Sequence, residues 1–597
     1  MSDELKHECG VAMVVLRKSR DPGGGDYGGT KLSLLLEKQH NRGQDGAGAA
    51  ILAENPPPGA PPYWIATSAS ATPLSDVLAA IGCRAMPHGR IFLGHLRYAT
   101  FGKGDESFCH PFVHEASDLA HTLLVAGNFN LTNTAELFAR YRHAGAFPTS
   151  RSDGYLVCEL IASGFSRDRS AKTTCGGLLD GLRFALENAD GAWTLCGMTG
   201  DGWAFATRDP HGIRPGFYYI DNDVVVVASE RPAIQAAFDV PPDAVRELPP
   251  GQVLLVEPSG GVRFSELFPA APPRPCAFER IYFSRANDAA IHRERKALGA
   301  ALLPQILESA DADLSDVFFS YIPNSAQIAF HGLLEELFRR QGPPAQRPHG
   351  PRTGIEREDV VPRFGQIAVK DAKFRTFIAD AHSREEFYQH VYDVTYGLLR
   401  PGMDTLVVLD DSIVRGNTMK NAILPMLDRL GPKRIVVASS APPIRYPDCY
   451  GIDMSTLGEL VAFRALVNLL GDAADAELHA ALAAFESHAE SAEMRAPNPL
   501  AALYARFSDE EHGAEIARLL TPPGMKADVK VVFQTVANLR RCLQTSTVQP
   551  FDRSTVARGG AAAGDWYFTG DYPTPGGYRV LRTALANYLS CSADRSY

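Results

Sequence analysis

Residues Leu406–Lys420 read LVVLDDSIVRGNTMK. A continuous apolar run, Thr405–Leu409, ends in two adjacent carboxylates, Asp410 and Asp411, and a loop of small and polar residues follows. A run that is apolar at every position, not at alternate ones, predicts a strand covered on both faces, as in a parallel sheet flanked by helices. Ligands of such sheets bind at the carboxyl ends of the strands. A loop running into a helix offers a phosphate its backbone N–H groups and the positive end of the helix dipole. Two carboxylates beside that loop suit the vicinal hydroxyls of a ribose. An Asp pair at a strand end is by itself more often a solvated turn, so the reading rests on the whole string.

The same pattern extends outward. Val317–Ile322 and Ile435–Ser440 are further apolar strands, with helical segments between them, which predicts an α/β unit. Upstream the texture differs. Between residues 9 and 265 short strands at Ile91–Leu93, Thr122–Ala126, Trp193–Gly197, Val224–Ala228 and Gln252–Val256 alternate with turns, and helices are expected around Leu32–His40, Ala135–Tyr141 and Tyr155–Ser163. The run PAAPPRP at Pro269–Pro275 is the linker candidate, and residues 341–353 (QGPPAQRPHGPRT) read as a surface insertion. From about 470 the chain is Ala-rich and helical (Ala473–Glu490), and its last hundred residues carry no motif.

A chain of 597 residues exceeds one hydrophobic core. With 45% apolar and 21% charged residues its composition is that of a globular protein. The net charge of −10 gives no support for nucleic-acid binding, which needs clustered cations. The ten cysteines include no C-x-x-C pair, so the usual zinc and redox spacings are absent and buried thiols in a reducing cytoplasm are expected. No apolar run approaches the roughly 20 residues of a membrane span.

The strand expected at 9–16 (CGVAMVVL) begins at Cys9. A lone Cys in an apolar strand is usually a core residue. Here it stands in ECGV and is followed by RGQDGAG at 42–48, GHLRYAT at 94–100, GNFNLTN at 127–133 and SDG at 152–154. In this order the segments resemble the glutaminase domain of the N-terminal-nucleophile (class II) amidotransferases. The resemblance implies an α+β domain of stacked antiparallel sheets between helices, with residues 1–8 removed as a propeptide so that Cys9 supplies a thiolate and a free α-amine. Amides are poor electrophiles and call for such a nucleophile and a nearby base. An α-amine with a pKa of about 8 is a suitable one. The resemblance also implies that the Asn128 side chain and the Phe129 N–H stabilise the oxyanion. It further implies that Arg97 binds the glutamine carboxylate, Asp153 its ammonium group, and that Arg42 supports the site. Taken singly, Arg97 reads equally as a strand-end charge and Asp153 as a helix N-cap.

The string at 406–420, with CAFERIYFSR (276–285), RDPHGIRP (208–215) and APPIRYPDCYGIDM (441–454), resembles the amidophosphoribosyltransferase family over residues 9–465. That family implies a glutaminase domain at 9–268 and an α/β type I phosphoribosyltransferase domain with a parallel sheet at 276–470; beyond the resemblance, the Ala-rich composition predicts a helical C-terminal extension at 471–597. Ammonia from glutamine would replace the pyrophosphate of 5-phosphoribosyl 1-pyrophosphate, giving phosphoribosylamine, the opening step of purine synthesis. By the same resemblance Asp410 and Asp411 bind the ribose and Mg²⁺. Ser412, Arg415, Gly416, Asn417 and Thr418 bind the 5′-phosphate. Asn324, Ser325, Lys370 and Arg375 serve the pyrophosphate, Arg375 from a closing loop that begins RTFI.

Three departures stand out. Phe129 replaces the glycine of the family's N-G-N, Asn324 replaces an acidic residue, and the loop after Ile378 is poor in cations. They leave a second reading open, a catalytically silent regulatory homologue that binds phosphoribosyl pyrophosphate or nucleotides. Some members hold an iron–sulfur cluster on four Cys. Only Cys276 and, one residue out of register, Cys449 stand near ligand positions, so none is expected here. The family further implies inhibitory purine nucleotides and a homo-oligomer; the net charge and the short apolar runs predict no nucleic-acid or membrane partner.

Overall fold

The computed structural model describes residues 9–18, 27–53, 59, 61–83, 89–99, 102–143, 145–165, 174–341, 361–370, 392–489, 498–544 and 564–590. The expected propeptide, the insertion after Gln341 and the closing loop with Arg375 lie outside the described residues.

Strand Gly10–Leu16 lies inside a seven-stranded sheet, antiparallel to Val224–Ala228 on one side (Ala12 opposite Ala228) and to Gly89–Arg97 on the other (Gly10 opposite Leu96). Its two faces explain its unbroken apolar run. Ala12, Val14 and Leu16 pack under helices Tyr27–Lys38 and Arg231–Phe238, whereas Val11, Met13 and Val15 face a second sheet. That six-stranded antiparallel sheet, with Leu123–Leu131 and Gly191–Thr199 at 9 residues each, sends Leu124, Ala126, Cys196 and Met198 into the shared core. Leu123, Val125 and Leu195 point the other way, against helices Asp153–Phe165 and Thr174–Leu186. The result is helix, sheet, sheet, helix, the stacked antiparallel arrangement expected.

The second half is built on a five-stranded parallel sheet in the order Arg363–Phe364, Val317–Tyr321, Thr405–Asp410, Arg434–Ser439, Asp528–Phe533. Phe319, Val407, Leu409 and Val436 pack under helices Ala289–Ala310 and Gln327–Gln341. Phe318, Leu406, Val408 and Ile435 pack on helices Val461–Leu470 and Asp509–Leu520. Thr405–Asp410 is the central strand, so Asp410 and Asp411 stand at the middle of the sheet's carboxyl edge.

The helical extension expected at 471–597 needs correction. Asp528–Phe533 is the fifth strand of the sheet, Val436 opposite Lys530. As an edge strand with polar Asp528 and Lys530 it lacks the apolar run that marks the inner ones. The chain then returns to the domain junction. Gly564 bridges Cys276, Trp566 Nε1 donates to Asp448 Oδ1 at 2.8 Å, and Thr574 Oγ1 and the Gly576 N–H donate to Asp190 of the first half at 2.6 and 2.7 Å. Among the described residues no helix is long and apolar enough to cross a membrane.

Candidate active sites

Cys9 opens the strand Gly10–Leu16 and lines a cavity of about 220 Å³ with Arg97, Asn128, Phe129 and Asp153. Its sulfur accepts the Tyr98 N–H at 3.4 Å, and the thiol donates to Tyr98 O at 3.7 Å. Burial pushes the thiol up to about 11, against the Tyr98 peptide and the Arg97 and Arg214 charges. At neutral pH the group is a thiol and needs a base to become a nucleophile.

Arg97 ends strand Gly89–Arg97, 5% exposed, with its guanidinium 5.5 Å from the Phe108 ring centre and one N–H on Gly102 O at 3.1 Å. Asp153 is the first residue of its helix. Ser152 fills the capping role, its carbonyl accepting from Leu156 N and its hydroxyl from Gly154 N. That leaves the Asp153 carboxylate in the cavity, where burial raises it to about 6 and the Gly154 N–H and Arg97 oppose the rise.

Asn128 is 3% exposed, yet its Nδ2 has no hydrogen-bond partner among the described residues. A buried amide donor left open at a cavity wall is rare in the absence of a ligand. The Phe129 N–H is aimed by strand register. Phe129 stands opposite Trp193, whose carbonyl accepts from Asp209 N at 2.9 Å on the far side. The pair is therefore a non-hydrogen-bonded one, and the Phe129 N–H points to the open edge of the strand. Phe129 lies in regular extended backbone, so its Cβ costs nothing, and its ring packs 5.6 Å from that of His110.

Arg42 does not line this cavity. Its side chain, 1% exposed, bonds Glu230 Oε1 at 2.8 Å and both oxygens of Glu279 at 2.9 and 2.7 Å. The expected glutamine-supporting role is corrected to a buried ion triad that ties the glutaminase half to the segment opening the second half. Arg42→Ala is expected to lower unfolding stability by about 3–5 kcal/mol, because two buried carboxylates lose their countercharge, with the glutamine KM of the folded enzyme unchanged. Denaturant titration beside glutamine kinetics checks this, and unchanged stability with a raised KM would return Arg42 to glutamine binding.

The second cavity, about 700 Å³, is lined by Asn324, Ser325, Lys370, Asp410, Asp411, Ser412, Gly416 and Thr418. Asp411, 6% exposed, accepts the Ser412 hydroxyl at 2.8 Å and the Ser325 hydroxyl, and burial raises its carboxyl. Asp410 Oδ1 accepts the Asp411 N–H at 2.9 Å. Gly416 is a glycine of necessity: its φ is +80°, and a Cβ there would lie 2.2 Å from Leu520 Cδ2. The loop then enters a helical turn, Met419–Ile423, continuous with Leu424–Asp428. Arg415 and Asn417 do not line this cavity. The Arg415 side chain turns away to Glu459 at 2.6 Å and Asp453 O at 3.0 Å.

Several lining groups carry no role in the sequence reading. Arg295, 3% exposed within helix Ala289–Ala310, donates to the carbonyls of Arg280, Tyr282 and Ser284 and faces the Asp411 charge. His40 and Asn41 reach this cavity from the first half, and Gly451 of the second half lines the Cys9 cavity. There Asn130 Nδ2 donates to Cys449 O at 2.6 Å, and a Cβ on Gly451 would strike Arg214 at 2.2 Å. Each half thus completes the other's cavity. Among the described residues no group of three or more His, Cys, Asp or Glu is placed to hold a metal ion, and the Cys276 thiol is paired with Tyr567 OH at 3.5 Å.

A stacked-sheet glutaminase fold fused to a parallel-sheet phosphoribosyltransferase fold makes the chain a glutamine amidotransferase of phosphoribosyl type. No protein-family model matches it. It is 31% identical over 381 residues to the amidophosphoribosyltransferase of Bacillus subtilis, covering 63% of this chain and 70% of that one. It is 28% identical over 480 residues to the chloroplastic amidophosphoribosyltransferase 2 of Arabidopsis thaliana, covering 79% and 74%. Among solved structures, the glutamine phosphoribosylpyrophosphate amidotransferase of B. subtilis complexed with ADP and GMP matches with a TM-score of 0.64 and 25% identity, over 95% of this chain and 97% of that one. The chain belongs to the amidophosphoribosyltransferase family.

Proposed function

We propose that this chain makes 5-phosphoribosylamine, glutamate and pyrophosphate from glutamine, water and 5-phosphoribosyl 1-pyrophosphate, the first step of purine biosynthesis. The observation that carries the reading is the presence in one chain of the Cys9 cavity and the Asp410–Asp411 cavity, each lined in part by residues of the other half.

After removal of residues 1–8, the α-amine of Cys9 takes the thiol proton and the sulfur attacks the side-chain amide carbon of glutamine. Arg97 and Asp153 hold the carboxylate and ammonium ends of the substrate. The oxyanion is received by the open Asn128 Nδ2 and the Phe129 N–H, and its stabilisation is the main electrostatic contribution. The amine returns its proton to the leaving nitrogen, ammonia departs, and water cleaves the thioester. In the second cavity Asp410 and Asp411 hold the ribose hydroxyls; each carboxylate oxygen has two lone pairs, so Asp411 still accepts beside its serines. Ser412, Gly416 and Thr418 receive the 5′-phosphate, and Asn324, Ser325 and Lys370 the pyrophosphate, with Arg375 of the closing loop in the same role. Ammonia bonds to C1 as the bond from C1 to pyrophosphate breaks.

The donor set suits a hard cation only in part. Asp410 and Asp411 would hold Mg²⁺ together with substrate oxygens, where it would neutralise the leaving group's charge.

We read the domains as 9–268 and 276–470, with described residues beyond 471 adding a strand to the second and hydrogen bonds to Asp190 of the first. The B. subtilis structure is a complex with ADP and GMP, and purine nucleotides are expected as regulatory ligands of this chain, which we read as a cytoplasmic homo-oligomer. Glutamine-dependent release of pyrophosphate, with the aminated sugar identified by mass, tests the function. Ligand binding without turnover from glutamine or ammonia is the result a silent homologue gives.

A pH dependence follows from Asp153. Its carboxyl, raised to about 6, is charged above that pH and protonated below it. Apparent affinity for glutamine should therefore fall by about tenfold for each pH unit below about 6. Asp153→Asn should raise the glutamine KM and flatten that limb, as KM measured from pH 5 to 8 reports. A parallel acid limb in the variant would assign it elsewhere.

A further inference from the structure

The nucleophile and its oxyanion donors stand on different sheets. Cys9 leads into the seven-stranded sheet, whereas Asn128 and Phe129 belong to the six-stranded one. Catalysis needs them held to a fraction of an ångström, and one feature bridges that gap. Strand Leu123–Leu131 loses its outer neighbour after Val125, where pairing with Phe112–His114 ends. The peptide groups of Gly127 on that edge are capped by two imidazoles instead. His110 Nδ1 accepts the Gly127 N–H at 3.3 Å, and His95 Nε2 donates to Gly127 O at 3.1 Å. The rings are stacked, with centroids 4.0 Å apart and planes within 8°. His95 comes from the nucleophile's sheet, directly opposite Val11, two residues from Cys9. Gly127 immediately precedes Asn128. The link is therefore the short path between thiol and oxyanion hole.

We infer that His95 and His110 act together as positioning residues of the glutaminase reaction, clamping the Gly127 peptide so that the Asn128 amide and the Phe129 N–H face Cys9. Each ring must be neutral with its proton on Nε2, because His110 can accept only through a bare Nδ1. Burial agrees. It lowers His95 to about 3 and holds His110 well below its ordinary value, and Arg97 adds to both effects. Neither ring needs to touch the reacting atoms; His110 lines the cavity wall and carries the Phe129 ring.

The inference rests on glutamine being hydrolysed at Cys9, and the two fail differently. The mature full-length enzyme is assayed with glutamine and, separately, with ammonia as nitrogen donor. His110→Leu and His95→Leu should each lower the glutamine-dependent kcat by about 10- to 100-fold, with the glutamine KM within about threefold and the ammonia-dependent rate within about twofold of the parent. His110→Asn, which sets an acceptor where Nδ1 was, and His95→Gln, which sets a donor where Nε2 was, should restore most of the loss. Leucine variants that retain glutamine turnover overturn the clamp, as does a loss shared equally by ammonia or not rescued by Asn and Gln. If a leucine variant does not accumulate, His110→Ser repeats the deletion in a smaller polar form. A parent enzyme that uses ammonia but never glutamine overturns the Cys9 reading itself.

Discussion

Cys9→Ala is expected to abolish glutamine-dependent formation of phosphoribosylamine, by a factor on the order of 10⁴ or more, and to leave the ammonia-dependent rate near that of the parent. Burial pushes the thiol up to about 11, so solvent hydroxide supplies no useful thiolate at neutral pH, and a nucleophilic role calls for a base, the part we propose for the freed α-amine of Cys9. Alanine removes the only sulfur among the described residues lining the cavity. Water bound in its place meets an unactivated amide. The ammonia-dependent reaction, which we assign to the other cavity, should not register the change. Initial rates with the two donors at saturating phosphoribosyl pyrophosphate decide the matter. Equal loss from both would mean that Cys9 holds the fold and is no nucleophile.

The converse is expected of the acidic pair. Asp410→Asn combined with Asp411→Asn should depress both donors' rates together, by roughly 10²- to 10⁴-fold, since two charge-assisted hydrogen-bonding groups at about 1.5–3 kcal/mol each are weakened. Asp411 has a second task. It is the carboxylate facing the buried Arg295, whose guanidinium burial lowers to about 10 with Asp411 among the charges opposing the fall. Its amide would leave that cation less compensated, so the variant's thermal unfolding should be measured beside its rates. Glutamine hydrolysis uncoupled from transfer should persist. A double variant that keeps ammonia-dependent activity would remove the ribose role from Asp410 and Asp411.

The parts of this protein legible in its sequence are those where one physical demand dominates. CGVAMVVL and TLVVLD are apolar at successive positions because both of their faces are covered, and each ends or begins at chemistry. Gly416 is legible for a similar reason, as only hydrogen fits between its positive φ and Leu520. What stayed hidden depends on partners far along the chain. Arg42 and Arg415 sit in motif text beside the proposed site residues, yet their guanidinium groups are claimed by Glu230, Glu279 and Glu459, which no local spacing announces. His95 lies within GHLRYAT, but its use appears only with His110 stacked on it and Gly127 between their nitrogens. The edge strand Asp528–Phe533 was concealed by its half-polar pattern.

That edge strand, with the segment that follows it, bears on how the molecule is made. The glutaminase half leaves the ribosome first, but the Asp190 carboxylate waits for Thr574 and Gly576, 384 and 386 residues later. The parallel sheet likewise waits for residues 528–533, about 90 positions after its previous strand. Contacts of such long separation form late and slowly. A prematurely terminated product would therefore expose unfinished seams on both halves at once. Translation to near the last described helix is needed before either half is sealed, which couples completion of the polypeptide to assembly of the two chemistries it joins.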